Sequence, residues 1–209
     1  MGATGLVVVC VALALLVGAF ARRHEPRPFP TWLTPLLHSP LRRMGFPPEL
    51  AAERHGVRPG SSVLEVGPGD GYLTGAALER SAPGGRYICL DVQLAMLRKL
   101  RLALGARTPA CVCASGSKLP FRDASFDLVY LAHVLGEIPD RAGALREYGR
   151  VLRPGGMLSI TEGIPDPDFI RRARLVPMVE AAGLATAEHL GRSFHYTQRF
   201  RRPPTPARA

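Results

Sequence analysis

From Ser62 onward the chain alternates short apolar runs with longer mixed segments. Val63, Leu64 and Val66 are apolar on both alternations, as a strand buried on both faces is. The pattern predicts strands at 62–66, 86–91, 109–114, 126–131, 157–161, 185–190 and 194–201. It predicts helices at 72–80, 93–104, 141–152 and 168–182, with Leu50 to His55 as the first helix of the domain. Strands alternating with helices in this way make a parallel sheet covered on both faces.

The N-terminal part has a different pattern. Residues 1–21 contain no charged side chain, and Leu6 to Phe20 are almost wholly apolar. At roughly 1.5 Å per residue such a helix can just cross a bilayer core of about 30 Å. A secretory signal peptide is the competing reading. Against it, no Lys or Arg precedes the apolar run, while Arg22, Arg23 and Arg27 follow it, which places the C-terminal side in the cytoplasm. The expected organisation is a transmembrane anchor at 1–21, a Pro-rich linker at 22–48, a domain at 49–202 and a disordered tail at 203–209. Prolines at 26, 28, 30, 35, 40, 47 and 48 forbid one long helix in the linker.

The densest chemical signal is Val63-Leu64-Glu65-Val66-Gly67-Pro68-Gly69-Asp70-Gly71, a strand running into three alternate glycines. Glycine permits positive φ and a close backbone approach to a ligand, and the following helix points its N-terminal amides the same way. Twenty residues after Gly71, a second apolar strand ends in Asp91, a carboxylate suited to accepting from both hydroxyls of a ribose. The dinucleotide fingerprint G-x-G-x-x-G requires glycine where this chain has Tyr72; the pattern here is G-x-G-x-G preceded by the acid Glu65.

These residues resemble class I S-adenosylmethionine-dependent methyltransferases, in the branch that holds the ubiquinone/menaquinone methyltransferases. Further stretches carry the resemblance: Leu119-Pro120-Phe121 with Ser125 to Val129, His133 to Asp140, and Leu145 to Gly156 with its Arg-Pro-Gly-Gly turn. The resemblance implies an α/β, Rossmann-like seven-stranded sheet of order 3-2-1-4-5-7-6 with the last strand antiparallel. The ligand crevice then lies where the order reverses, with Glu65 to Gly71 facing Leu131 to Glu137.

By resemblance the cofactor is S-adenosyl-L-methionine, with Glu65, Gly67, Gly69 and Gly71 as its cradle, Asp91 on the ribose and Val92 and Met96 on adenine. At the adenine edge Ser115 and Gly116 stand where many members have Asp-Ala; a serine hydroxyl makes a weaker bond than a carboxylate. His133 and Glu137, four apart, would share a face if they formed one helical turn and could relay a proton. Glu162, at the end of the fifth strand, is the other candidate base. No metal cluster is apparent.

Charge changes the picture little. A net charge of +10 comes largely from arginine, with no nucleic-acid recognition motif beside it. Basic residues next to an apolar anchor suit anionic lipid headgroups. Cys89, Cys111 and Cys113 fall in predicted strands and read as core thiols of a reduced protein. The expected function is methyl transfer to a small, apolar or lipid-like acceptor at the cytoplasmic membrane surface. The alternative is a non-catalytic module of the same fold that binds the cofactor or a membrane partner.

Overall fold

The structure is a computed structural model and describes residues 28–32, 34, 43, 46–164 and 166–204. The expected anchor at 1–21 and most of the linker lie outside these residues. Among the described residues no helix is long and apolar enough to cross a membrane.

In chain order the elements are α1 (Pro48–His55), β1 (Ser62–Val66), α2 (Thr74–Ser81), β2 (Arg86–Asp91), α3 (Leu94–Leu104), β3 (Ala110–Cys113), β4 (Phe126–Ala132), α4 (Arg141–Val151), β5 (Leu152–Gly163), α5 (Arg172–Glu180), β6 (Ala185–Arg192) and β7 (His195–Arg201). They build one seven-stranded sheet of order β3-β2-β1-β4-β5-β7-β6. β1 pairs in parallel with β2 and β4, and β4 with β5, while β7 runs antiparallel to both β5 and β6. This is the Rossmann-like methyltransferase sheet expected from the sequence.

The period of two sorts each strand between two cores. Val63, Tyr87, Cys89, Leu128 and Tyr130 pack with Ala52, Ala77, Leu97 and Leu100 on one face, beneath α1, α2 and α3. Leu64, Val66, Leu90, Leu131, Leu158 and Ile160 pack with Leu145, Tyr148, Leu175 and Val179 of α4 and α5 on the other. Both faces of β1 are therefore buried, and its carboxyl end opens at the point where the strand order reverses.

Several boundaries differ from the sequence reading, and three of the elements show why. α2 begins at Thr74 rather than 72, because residues 70–73 form a turn, in which Gly71 N–H donates to Pro68 O at 3.1 Å. β5 extends over twelve residues instead of 157–161. Its Arg-Pro-Gly-Gly turn is absorbed as an irregularity between the pairs Phe126↔Leu152 and Leu128↔Met157, and β7 carries the pairing on to Gly163↔His195. α5 starts at Arg172 rather than 168 because side chains claim the preceding amides: Asp168 N–H donates to Asp166 Oδ1 at 2.9 Å and Ile170 N–H to Glu162 Oε2 at 3.0 Å.

Candidate functional site

The loop after β1 turns on Gly67, Gly69 and Gly71, at φ 68°, 59° and 94°. Only glycine holds that region without steric cost. A Cβ at Gly67 would lie 2.5 Å from one methyl of Val134, so the segment after β4 packs directly onto the loop. At Gly69 a Cβ would meet nothing within 4 Å. Gly67 N–H donates to Leu90 O at 2.8 Å, which ties the loop to the end of β2.

Asp91 closes β2 against that loop. Its Oδ1 accepts Gln93 N–H at 2.8 Å and its Oδ2 accepts Gly69 N–H at 3.3 Å. Burial raises its pKa, against the lowering by these two amides. A carboxylate has about four acceptor positions, so each oxygen keeps capacity for a further donor.

The other predicted cofactor residues are placed differently from one another. Glu65 does not line the loop; its carboxylate is buried beneath the sheet, where Thr74 Oγ1 and Tyr87 Oη donate to Oε2 at 2.8 and 2.9 Å. It anchors the first residue of α2 to β1 and so supports the loop from below. Burial pushes its carboxyl pKa up despite those bonds. Val92 is exposed, whereas Met96 is buried. Ser115 is exposed and its hydroxyl bonds that of Ser117 at 3.0 Å; Gly116 beside it is buried.

His133 and Glu137 do not share a helical face. His133 follows β4 directly in the left-handed region at φ 59°, an uncommon conformation for a non-glycine residue, and only a three-residue 3-10 turn, Leu135–Glu137, comes after it. The two side chains accordingly find separate partners. His133 Nδ1 lies 3.6 Å from Asp166 Oδ2, while Glu137 Oε2 accepts the Phe29 N–H at 2.9 Å. The His133 ring stands edge-on to Phe46, with centroids 6.0 Å apart, and 5.7 Å from the His195 ring. Phe46 in turn meets His195 at 4.8 Å.

Glu162 is the penultimate residue of β5, at the carboxyl end as expected, but it is paired opposite Tyr196 and only 1% exposed. Burial first, then the nearby charges of Asp166 and Asp168, raise its pKa to about 8, against lowering by the Ile170 N–H and by Arg141. Its Oε1 has no hydrogen-bond partner among the described residues. At neutral pH this carboxyl keeps its proton and holds the loop 164–171 through Ile170.

Several residues of this region carry no local signal in the sequence. Tyr148 on α4 places a buried hydroxyl, without a partner among the described residues, 3.0 Å from where a Cβ on Gly116 would stand. Phe29 and Phe46 come from the Pro-rich segment. Asp166 becomes visible only when the loop after β5 folds back on His133. The structure thus brings together Gly67, Gly69, Asp91 and Val134 on one side, and His133, Asp166, His195 and Phe46 on the other.

This donor set fits S-adenosylmethionine. The glycine loop allows close backbone approach, Asp91 offers acceptors for two hydroxyls, and the Tyr148 hydroxyl beside Gly116 is a buried polar group still to be satisfied.

Comparison with known proteins points the same way. Residues 64–160 match the methyltransferase domain family. Over 110 residues the chain is 38% identical to the ubiquinone/menaquinone biosynthesis C-methyltransferase of Cupriavidus necator, a stretch covering 51% of this chain and 45% of that protein. The protein of the same name from Hahella chejuensis is 39% identical over 114 residues, 53% of this chain and 46% of its own length. The chain therefore matches less than half the length of these curated relatives. In fold, the crystal structure of a SAM-dependent methyltransferase from Aquifex aeolicus superposes with a TM-score of 0.75 at 21% identity, over 84% of this chain and all of that one. The sheet order, the glycine loop with Asp91 and the match of residues 64–160 to the methyltransferase domain family agree with one another.

Proposed function

We propose that the protein transfers a methyl group from S-adenosylmethionine to a small, apolar or lipid-like acceptor at the cytoplasmic surface of a membrane. The observation that carries this reading is the junction at Val134. Its methyls seat against Gly67, while the preceding residue, His133, faces Phe46, Asp166 and His195. Cofactor loop and aromatic cluster thus meet within one peptide unit, which favours holding two reactants in line.

When bound, the cofactor supplies an electrophilic methyl carbon on a positively charged sulfur. The chain's own residues position and exclude water. Asp91 holds hydroxyls, the Phe46, His133 and His195 rings give an acceptor an apolar wall, and His133 is placed to take a proton, with Asp166 opposite its Nδ1. Glu162, protonated at neutral pH, supports the loop that carries Asp166.

The relatives are named as C-methyltransferases of quinone biosynthesis, which supports a small apolar acceptor. The membrane part of the reading rests on the uncharged segment 1–21 followed by arginines. It also draws support from the exposed apolar side chains Trp32, Val92, Leu94, Ile164 and Phe194. Apart from Trp32, these follow β2 or β5 or precede β7, and so stand at the sheet end that carries the glycine loop.

Incubating the purified chain with methyl-labelled S-adenosylmethionine and a total lipid extract tests the proposal. Label is expected in an apolar product. Cofactor binding in calorimetry without label transfer to any lipid or soluble fraction would favour the non-catalytic alternative, and absence of binding heat would sink methyl transfer.

A further inference from the structure

A short segment ahead of the family match crosses the crevice. Phe29 N–H donates to Glu137 Oε2 at 2.9 Å, and Phe29 C=O accepts from Gln93 Nε2 at 3.0 Å. Glu137 follows β4 and Gln93 follows β2, and β1 lies between those strands. β2 and β4 are two strand spacings apart, roughly 10 Å. One residue bonded to both joins the segments beyond β2 and beyond β4, on the side of the sheet where β1 runs into the Gly67–Gly71 loop. Lys99 of α3 fastens the continuation, donating to Thr31 O and, at 2.8 Å, to Thr34 Oγ1. The Thr34 hydroxyl itself donates to Thr31 O at 3.0 Å, which turns the segment back on itself.

We propose that residues 28–32 with Thr34 form a strap that roofs the cofactor crevice, latched by Glu137, Gln93 and Lys99, and that its release sets the rate of cofactor exchange. The inference rests on the S-adenosylmethionine reading of the domain and adds to it a part of the binding site outside residues 64–160. It also gives Glu137 a definite role, since its carboxylate latches the Phe29 amide.

The sequence supplies its own probes. Pro28 and Pro30 flank Phe29, so Phe29→Pro removes the latching N–H within a stretch already rich in proline, whereas Phe29→Ala keeps the N–H and removes only the ring. Lys99→Met keeps the aliphatic stem and deletes both bonds to the strap. Trp32, the chain's single tryptophan and 73% exposed, reports on the strap by fluorescence.

The experiment loads the full-length protein with labelled S-adenosylmethionine, chases with excess unlabelled cofactor, and follows release and Trp32 emission together, with thermal melts as a folding control. Phe29→Pro, which loses one hydrogen bond, is expected to speed release about tenfold, Lys99→Met, which loses two, by about tenfold or more, and both to leave association within about threefold. Phe29→Ala is expected to release within about threefold of the unaltered chain. An emission phase should run at the release rate and accelerate in both latch variants. Release unchanged in folded Phe29→Pro and Lys99→Met, or no emission phase at the release rate, would overturn the strap while leaving the cofactor site intact. Failure of the unaltered chain to bind the cofactor would overturn the site reading first, and the strap with it.

Discussion

Gly67 and Gly69 sit at nearly the same φ, yet a methyl group would meet very different surroundings at each. At Gly67 it lands 2.5 and 2.8 Å from the two methyls of Val134, a side chain stiff at χ1; at Gly69 it meets no atom within 4 Å. Gly67→Ala therefore combines left-handed strain with overpacking and is expected to destabilise by about 2–4 kcal/mol, read by urea unfolding. Gly69→Ala carries the strain alone, about 1–2 kcal/mol, so it separates folding from binding. It is expected to stay folded and lose about tenfold or more in S-adenosylmethionine affinity by calorimetry, because its amide also positions Asp91. Equal affinity would remove Gly69 from the cradle. At this scale the sequence shows which residues have special backbones or ionisable groups, because glycines at alternate positions and a carboxylate at a strand end are local facts. It does not show what each one touches. Val134 meets Gly67 across the crevice, and Glu65 reads as part of the cradle although Thr74 and Tyr87 draw its carboxylate under the sheet.

Elements were more legible than contacts, since burial on both faces of β1, β2 and β4 leaves continuous apolar runs and the resemblance supplies their order. Boundaries departed from the pattern where side chains compete for backbone amides. The start of α5 moved to Arg172 because Asp166 and Glu162 satisfy the amides of Asp168 and Ile170. A helical turn linking His133 to Glu137 failed for a backbone reason, the left-handed kink at His133, which no periodicity reports. α4 shows the opposite case, in which a side chain fixes a boundary where the sequence placed it. Asp140 is its N-cap, with Oδ1 accepting Gly143 N–H at 2.8 Å, and the helix begins at Arg141 as the pattern predicts. Asp140→Ala should cost about 1 kcal/mol, seen as a lower urea midpoint with an unchanged slope. α4 also carries Tyr148 and the Glu147 carboxylate that accepts Leu119 N–H at 2.8 Å, so fraying at its start reaches the Gly116 edge of the site. A stability loss well below that size would mean solvent satisfies those amides as well as the aspartate does.

For the molecule as a whole, two buried groups oppose each other in pH dependence. His55, stacked on Tyr130 and bonded to Ser159 and Thr161, is fully buried. Burial first, then the charges of Arg199 and His133, lower its pKa from 6.5 to about 3. Between those values the unfolded chain takes up a proton that the folded one refuses, so stability rises with pH across that window. Glu162 moves the other way, from 4.5 up to about 8. Across its window the folded chain keeps a proton that the unfolded chain has released, so stability falls as pH rises. Each slope approaches about 1.4 kcal/mol per pH unit, with opposite sign. These two slopes cancel between pH 4.5 and 6.5, so of the pair Glu162 acts above that range and His55 below it, while the raised carboxyls of Glu65 and Asp91 slope the same way as Glu162. Stability from urea midpoints is therefore expected to decline from pH 6.5 to 8, and Glu162→Gln should flatten that decline. His55→Gln should flatten part of the acid limb, and subtracting each variant's curve from the parent's isolates its group from surface carboxylates such as Glu147, whose pKa Arg150 lowers. A Glu162→Gln curve parallel to the parent above pH 6.5 would refute the buried-proton account. The site feels the same proton, because Glu162 holds Ile170 N–H on the loop that brings Asp166 to His133. Hydrogen exchange at Ile170 should accordingly quicken through pH 7–8 by more than the ordinary base-catalysed increase, and that excess should be absent in Glu162→Gln.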